Sequence, residues 1–257
     1  MIANLDPQII LILILFGFLA AFIDSVVGGG GLIALPALLF VGLNPTAAVA
    51  TNKLAGTMGS LTSTISFYRS GKLDIRSIAK YFPLAFFGSL VGAWTVTLIS
   101  PDILKPLMLF MLAAVAVYTI FKKDWGGMTT VKKLSAIRIL GLTFLLFAIG
   151  FYDGFLGPGT GSFFIFTFLM LGFDFLKAAG NAKFLNFGSN LAALLMFIYL
   201  DEIYFVYGFI MGAAQIFGAI VGTKFAIKKG SIFVRKLFII VTITLLIKNT
   251  YDYFFLD

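Results

Sequence analysis

The chain has 257 residues, 60% of them hydrophobic and 12% charged, against about 45–50% and about 25% in soluble domains. So apolar a chain cannot hide its surface from water by folding on itself, which excludes a soluble domain and points to an integral membrane protein. It has no cysteine and no histidine, which removes disulfides, thiolate metal sites and imidazole chemistry, and its +8 charge lies in short clusters between apolar runs, as membrane topology and not as a nucleic-acid face.

A membrane span needs roughly 20 apolar residues, and helix is the expected form because an open strand edge cannot survive in lipid. In chain order the apolar runs are 9–23, 32–43, 46–68, 81–99, 104–121, 134–152, 162–172, 178–200, 203–225 and 233–251. The runs at 9–23, 32–43 and 162–172 are short. The first reads as a retained membrane segment, since no basic residue precedes it and no A-x-A cleavage site follows. Asn44-Pro45 and Asp174 read as N-caps of the runs that follow them.

The chain is internally duplicated. A shift of 130 pairs Gly42 with Gly172, Ala48 with Ala178, Lys53 with Lys183, Gly88 with Gly218 and Gly92 with Gly222. Upstream the shift is 129, pairing Asp24 with Asp153 and Gly28 with Gly157. A repeat of half the chain is a duplication and not a short-period solenoid.

Basic residues gather in three stretches: Arg69, Lys72, Arg76 and Lys80; Lys122, Lys123, Lys132, Lys133 and Arg138; Lys224, Lys228, Lys229, Arg235 and Lys236. Acidic residues mark the N-terminus (Asp6), the loop at Asp201 and Glu202, and the C-terminal tail. The positive-inside rule places the basic stretches in the cytoplasm and both termini outside. Each half then crosses an odd number of times, either as five segments or as three full spans plus a two-helix hairpin that enters and returns. Either way the second half is inverted relative to the first, as in many secondary transporters. The expected fold is an all-α integral membrane protein of two inverted-topology repeats, about five hydrophobic helices each. The first repeat covers 1–121, a cytoplasmic linker 122–133, and the second repeat 134–257.

Both halves carry a glycine-rich break at matching positions. The first runs from Asp24 through Gly28, Gly29, Gly30 and Gly31, and the second from Asp153 through Gly157, Pro158, Gly159 and Gly161. Such runs end a helix, and the segment 32–43 that follows, about 18 Å long as a helix, is too short to span alone. Short, Gly/Pro-interrupted segments at corresponding positions point to a transport site. A helix starting at Gly31 or Gly161 presents free N–H groups and a partial positive charge, which suits an anion. The competing reading is that these glycines only permit close helix packing.

Asn52 and Lys53, and Asn181 and Lys183, lie near the start of the third helix of each half. Lys53 sits about 13 Å along its helix, deeper than an interfacial lysine, and intramembrane ionisable groups are functional candidates. Alternatively the lysines pair with Asp24 or Asp153, or snorkel to the surface. Thr57, Ser60, Ser63, Ser66, Asn186, Ser189 and Asn190 either line a polar path or tie helices together. The GxxxG pairs at Gly88, Gly208 and Gly218 fit helix contacts, and Gln215 fits a helix-to-helix hydrogen bond better than a pathway.

The run Phe22 to Pro36, the Thr51-Asn-Lys-Leu-Ala55 motif, Arg69 to Asp74, and the second-half signatures Gly150 to Gly161 and Asn181 to Asn186 closely resemble the sulfite exporter TauE/SafE family. The resemblance covers essentially the whole chain. It implies an inner-membrane permease for small sulfur-containing anions such as sulfite, thiosulfate or organosulfonates, and carries a binding role onto Gly28 to Gly31, Asn52, Lys53, Gly157, Gly159, Gly161, Asn181 and Lys183. Ala182 stands opposite Asn52, a departure that puts an equal contribution of the two half-sites in doubt. Asp24 and Asp153 carry a coupling proton or orient the lysines. Besides the anion and the lipid bilayer, no nucleic acid, cofactor, metal or catalytic residue is expected, and the oligomeric state is left open. An anion channel and a non-transporting membrane scaffold are the rival readings, and an intramembrane enzyme is weaker still.

Overall fold

A computed structural model describes residues 6–104 and 136–229, with positions 106–108, 110, 111 and 114 between them. Helices and the turns joining them account for the described residues, and no strand occurs among them. The expected spans at 104–121 and 233–251 lie largely or wholly outside the described residues.

Helix α1 (Pro7–Val27) starts where the Asp6 side chain accepts the Gln8 N–H at 2.9 Å and ends at Gly28. At 21 residues it is a full span, longer than the short run read from the sequence. The sequence reading stopped at Asp24; the helix runs through it because that carboxylate finds a buried partner. The Gly28–Gly31 break separates it from α2 (Gly31–Phe40), whose 10 residues reach about 15 Å. Helix α3 (Pro45–Arg69) has the expected cap, Asn44 Oδ1 accepting the Ala47 N–H at 2.9 Å. A short α4 (Ile75–Ile78) and a 3-10 turn (Ala79–Tyr81) lead into α5 (Phe82–Thr97).

The second half repeats the order. Helix α6 (Ala136–Phe155) ends at the second break, α7 (Thr160–Met170) is again short, and α8 (Phe175–Tyr199) is capped by Asp174 Oδ1, which accepts the Lys177 N–H at 3.0 Å. Helix α9 (Phe205–Lys229) closes the described chain. Among the described residues four helices are long and apolar enough to cross a membrane, namely α1, α6, α8 and α9. Helix α3 matches α8 in length, 25 residues, but buries Thr51, Asn52, Lys53, Ser60 and Ser63. A helix that is polar on its buried side has its own protein as solvent there, not lipid.

The halves interlock. Helix α1 packs along α9, and α6 packs along α5, the same contact with the halves exchanged. Glycine makes both possible: side chains at Gly88 and Gly92 would collide with the carbonyls of Phe147 and Phe151, and at Gly218 and Gly222 with those of Phe18 and Phe22. These four contacts superpose under the shifts found in the sequence. Gly208 and Gly212 close against Leu54 and Met58 of α3.

At the centre, α3 and α8 pack on each other. Thr51, early in α3, accepts the N–H of Tyr204, just past the end of α8, at 3.1 Å. At the other end Gly180, early in α8, lies against the carbonyl of Lys72, just past the end of α3. The two equivalent helices therefore run in opposite directions.

Candidate functional site

The two glycine breaks touch each other. Gly28 has φ +79°, and a side chain there would overlap the backbone of Gly161 and Ser162. The Ser162 N–H donates to the Gly28 carbonyl at 3.0 Å, and Ser162 Oγ donates to the Val27 carbonyl at 2.6 Å. A Cβ on Gly31 would lie 3.0 Å from Pro158 Cα. Gly28 and Gly161 thus have a structural reason to be glycine: two backbones cross where no Cβ fits. The crossing also occupies one helix-terminal donor. Helix α7 begins at Thr160 and not at Gly161, and the N–H of its third residue goes to the opposite break.

Two ion pairs bracket the crossing, each joining one half to the other. Lys53 Nζ lies 2.9 Å from Asp153 Oδ1, with 1% and 3% of the side chains exposed. Lys183 Nζ lies 2.6 Å from Asp24 Oδ2, with 0% and 22% exposed. A lysine this deep is tolerable only with a carboxylate and further hydrogen bonds, because desolvating the charge costs several kcal/mol. Lys53 also donates to Asn190 Oδ1 at 3.3 Å. Asp153 Oδ2 accepts from Asn186 Nδ2 at 3.3 Å and from Ser189 Oγ. Asp24 Oδ1 accepts the Gly30 N–H at 3.2 Å. Gly157, with φ +91°, leaves the space the first pair needs, since a Cβ there would lie 2.8 Å from Lys53 Nζ.

A cavity of about 30 Å³ opens at this point, room for about two water molecules. Ten of the thirteen residues singled out in the sequence line it: Asp24, Gly28, Gly30, Gly31, Asn52, Lys53, Asp153, Gly157, Gly159 and Gly161. Gly29, Asn181 and Lys183 are not among the lining residues. Lys183 reaches the cavity only through Asp24. Asn181 is buried, with no hydrogen-bond partner on its side-chain oxygen. Its counterpart under the shift of 130 is Thr51, which accepts the Tyr204 N–H and likewise does not line the cavity.

Asn186, Asn190 and Gln215 also line the cavity, and Asn186 and Asn190 at the same time tie α8 to Asp153 of α6 and Lys53 of α3. The hydroxyls of α3 instead serve helix structure: Thr57 donates to the Lys53 carbonyl, Ser60 to the Gly56 carbonyl, and Ser63 bonds Ser25 Oγ. Ala20 and Gly56 complete the lining. Neither carries a side-chain signal, and only the +130 partner of Gly56, Asn186, marks its position. No group of three or more His, Cys, Asp or Glu able to hold a metal occurs among the described residues.

Residues 13–249 match the sulfite exporter TauE/SafE family. The chain belongs to that family. It is 39% identical over 250 residues to a probable membrane transporter protein, ORF9, of a Sinorhizobium species, covering 97% of this chain and 95% of that protein. A probable membrane transporter protein of Haemophilus influenzae is 38% identical, over 96% of this chain and 98% of its own length. The probable membrane transporter protein YfcA of Escherichia coli is 35% identical, over 96% and 91%. No solved structure matches. This TauE/SafE member is a membrane transporter, and the broken, cross-paired centre is the part of it with the polar chemistry a transport site requires.

Proposed function

We propose that the protein is a secondary carrier, without catalytic chemistry, for a small sulfur-containing oxyanion such as sulfite, thiosulfate or an organosulfonate. It forms one membrane domain in the cell inner membrane, with halves 1–121 and 134–257 joined by a cytoplasmic linker at 122–133 and both termini outside. The halves are inverted, a reading supported by the opposed directions of α3 and α8 and by the exchanged contacts of α1–α9 and α5–α6.

The observation that carries the reading is the cavity at the crossing of the two breaks. Lys53 supplies positive charge there, Asn52, Asn186, Asn190 and Gln215 supply amide donors, and the glycines let an anion approach the backbone. Lys183 adds its charge from behind Asp24, and Asp24 and Asp153 orient and balance the two lysines. The sulfur identity rests on the family description alone.

Purified protein in liposomes tests both levels. Saturable uptake of sulfite, thiosulfate or a sulfonate, with sulfate poorly used and counterflow of labelled substrate against unlabelled, is the expected result. Conductance without saturation or counterflow would make the protein a channel. Robust transport confined to sulfur-free anions would sink the substrate class while leaving the carrier intact.

A further inference from the structure

The two crossed ion pairs are not equivalent, and the difference is written into the sequence. Asp153 has two donors besides Lys53, from Asn186 and Ser189 on α8. The positions that correspond to these in the first half, under the shift of 130, are Gly56 and Gly59. Glycine has no side chain to donate, so no rearrangement that exchanges the conformations of the two halves can give Asp24 the shell that Asp153 has. Asp24 keeps Lys183 and the Gly30 N–H, lines the cavity, and is 22% exposed against 3% for Asp153.

The charges at the crossing also sum to zero, with Lys53 and Lys183 set against Asp24 and Asp153. A bound monoanion leaves one buried negative charge unmatched, a costly state inside a membrane protein. A proton on one carboxylate removes that mismatch. The neighbours of Asp24 leave few alternatives. Helix α3 faces it with Lys53, α8 with Lys183 and the neutral Asn186 and Asn190, α9 with the neutral Gln215, and α6 with Asp153. Helices α2 and α7 carry no titratable side chain.

Resting on the anion-carrier reading, we infer that Asp24 is the coupling site: it takes one proton from solution for each monoanion bound, while Asp153 stays the fixed counter-charge of Lys53. The proton joins a carboxylate oxygen of Asp24. Lys183 remains an ammonium, is released from its counter-charge and turns its donors toward the anion. Anion and proton then cross together, with one proton following each negative charge.

Two measurements test this. In ligand-free protein in nanodiscs, infrared difference spectra between acid and neutral pH should contain a carboxylic C=O component beyond the bands of the exposed carboxylates. That component should be lost in Asp24→Asn and in Asp24→Asn/Lys183→Gln, the second variant guarding against a fold upset by a stranded lysine, and persist in Asp153→Asn/Lys53→Gln. A C=O spectrum unchanged by loss of Asp24 overturns the assignment.

Binding of methanesulfonate, a monoanion that does not titrate near neutral pH, should strengthen about tenfold per unit fall in pH, the slope of one linked proton. Calorimetry in buffers of different ionisation enthalpy should count one proton taken up, and none in the Asp24 variants. Proton uptake unchanged by Asp24→Asn also overturns the proposal. If methanesulfonate does not bind at all, the anion reading is what fails, and the infrared band still decides which carboxylate takes the proton.

Discussion

Lys53 and Lys183 are among the largest fully buried side chains in the protein, and each survives there because the opposite half supplies its carboxylate. Breaking a buried pair from one side strands a charge and costs about 3–5 kcal/mol, whereas removing both charges is far cheaper. Lys53→Met should therefore lower the thermal unfolding temperature sharply, and Lys53→Met/Asp153→Asn should recover most of it. Lys53→Met/Asp24→Asn should not, because Asp24 belongs to Lys183. Rescue by the Asp24 change would show the pairing to be wrong. Anion binding measured on the same samples separates roles: loss persisting in the rescued Asp153 variant makes Lys53 a ligand, and recovery makes it structural. A second residue-scale test uses glycines of equal conformation. Gly157 and Gly42 have φ of +91° and +90°, but only Gly157 would press a methyl onto Lys53 Nζ. Both alanine variants carry about 1–2 kcal/mol of left-handed strain, so transport lost in Gly157→Ala and kept in Gly42→Ala isolates the contact with the ion pair. Equal effects of the two would remove that contact from the account. At Gly30, by contrast, φ is −57°, so substitution there acts by crowding Asp24 Cβ, 2.7 Å from an added Cβ, and not through backbone strain.

Helix packing at the level of elements depends on glycines that remove a Cβ from a backbone-to-backbone contact. A side chain at Gly154 of α6 would strike the Ser89 carbonyl of α5, while Gly141 on the same helix has nothing within 4 Å. Gly154→Ala should reduce thermal stability by 1–3 kcal/mol, the usual cost of overpacking. Gly141→Ala should be neutral or stabilising by about 0.5–1 kcal/mol, since alanine is the better helix former. The reverse ranking in detergent melts would mean that the α5–α6 contact does not have this geometry. Elements of this kind were largely legible in the sequence. Helices α3 and α8 begin at the caps expected from Asn44-Pro45 and Asp174, and α2 and α7 are as short as the breaks implied, because caps and glycine runs act through neighbouring residues. Contacts between elements were not legible. Nothing local says that Lys53 reaches Asp153 and not Asp24, that Gly28 faces Gly161, or that Asn181 is not among the residues lining the cavity; those follow from how the halves interlock. Helix α1 outruns the apolar run at 9–23 because Asp24, which ends that run, has its partner on the other half.

At the scale of the whole molecule, duplication, crossed contacts and charge distribution are the grounds of the proposed topology, and each can be tested. Helix α9, 25 residues and about 37 Å long, exceeds the roughly 30 Å hydrocarbon core, so Asp201 and Lys228 at its two ends belong on opposite sides of the membrane. Helix α3 opposes α8, so Arg76, in the loop beyond α3, shares the side of the start of α8, opposite Asp201. On the proposed orientation, drawn from the positive-inside rule, Arg76 and Lys228 are cytoplasmic and Asp201 external. All three side chains are exposed, and the chain has no native cysteine, so single cysteines there report without background. An impermeant maleimide on intact cells should label Asp201→Cys and leave Arg76→Cys and Lys228→Cys untouched until the membrane is opened. Each result bears on a different step. Labelling reversed at all three positions keeps the two halves inverted and overturns only the orientation drawn from charge. Arg76 and Asp201 labelled from the same side would break the antiparallel relation of α3 and α8, and with it the inverted repeat on which the proposed carrier rests.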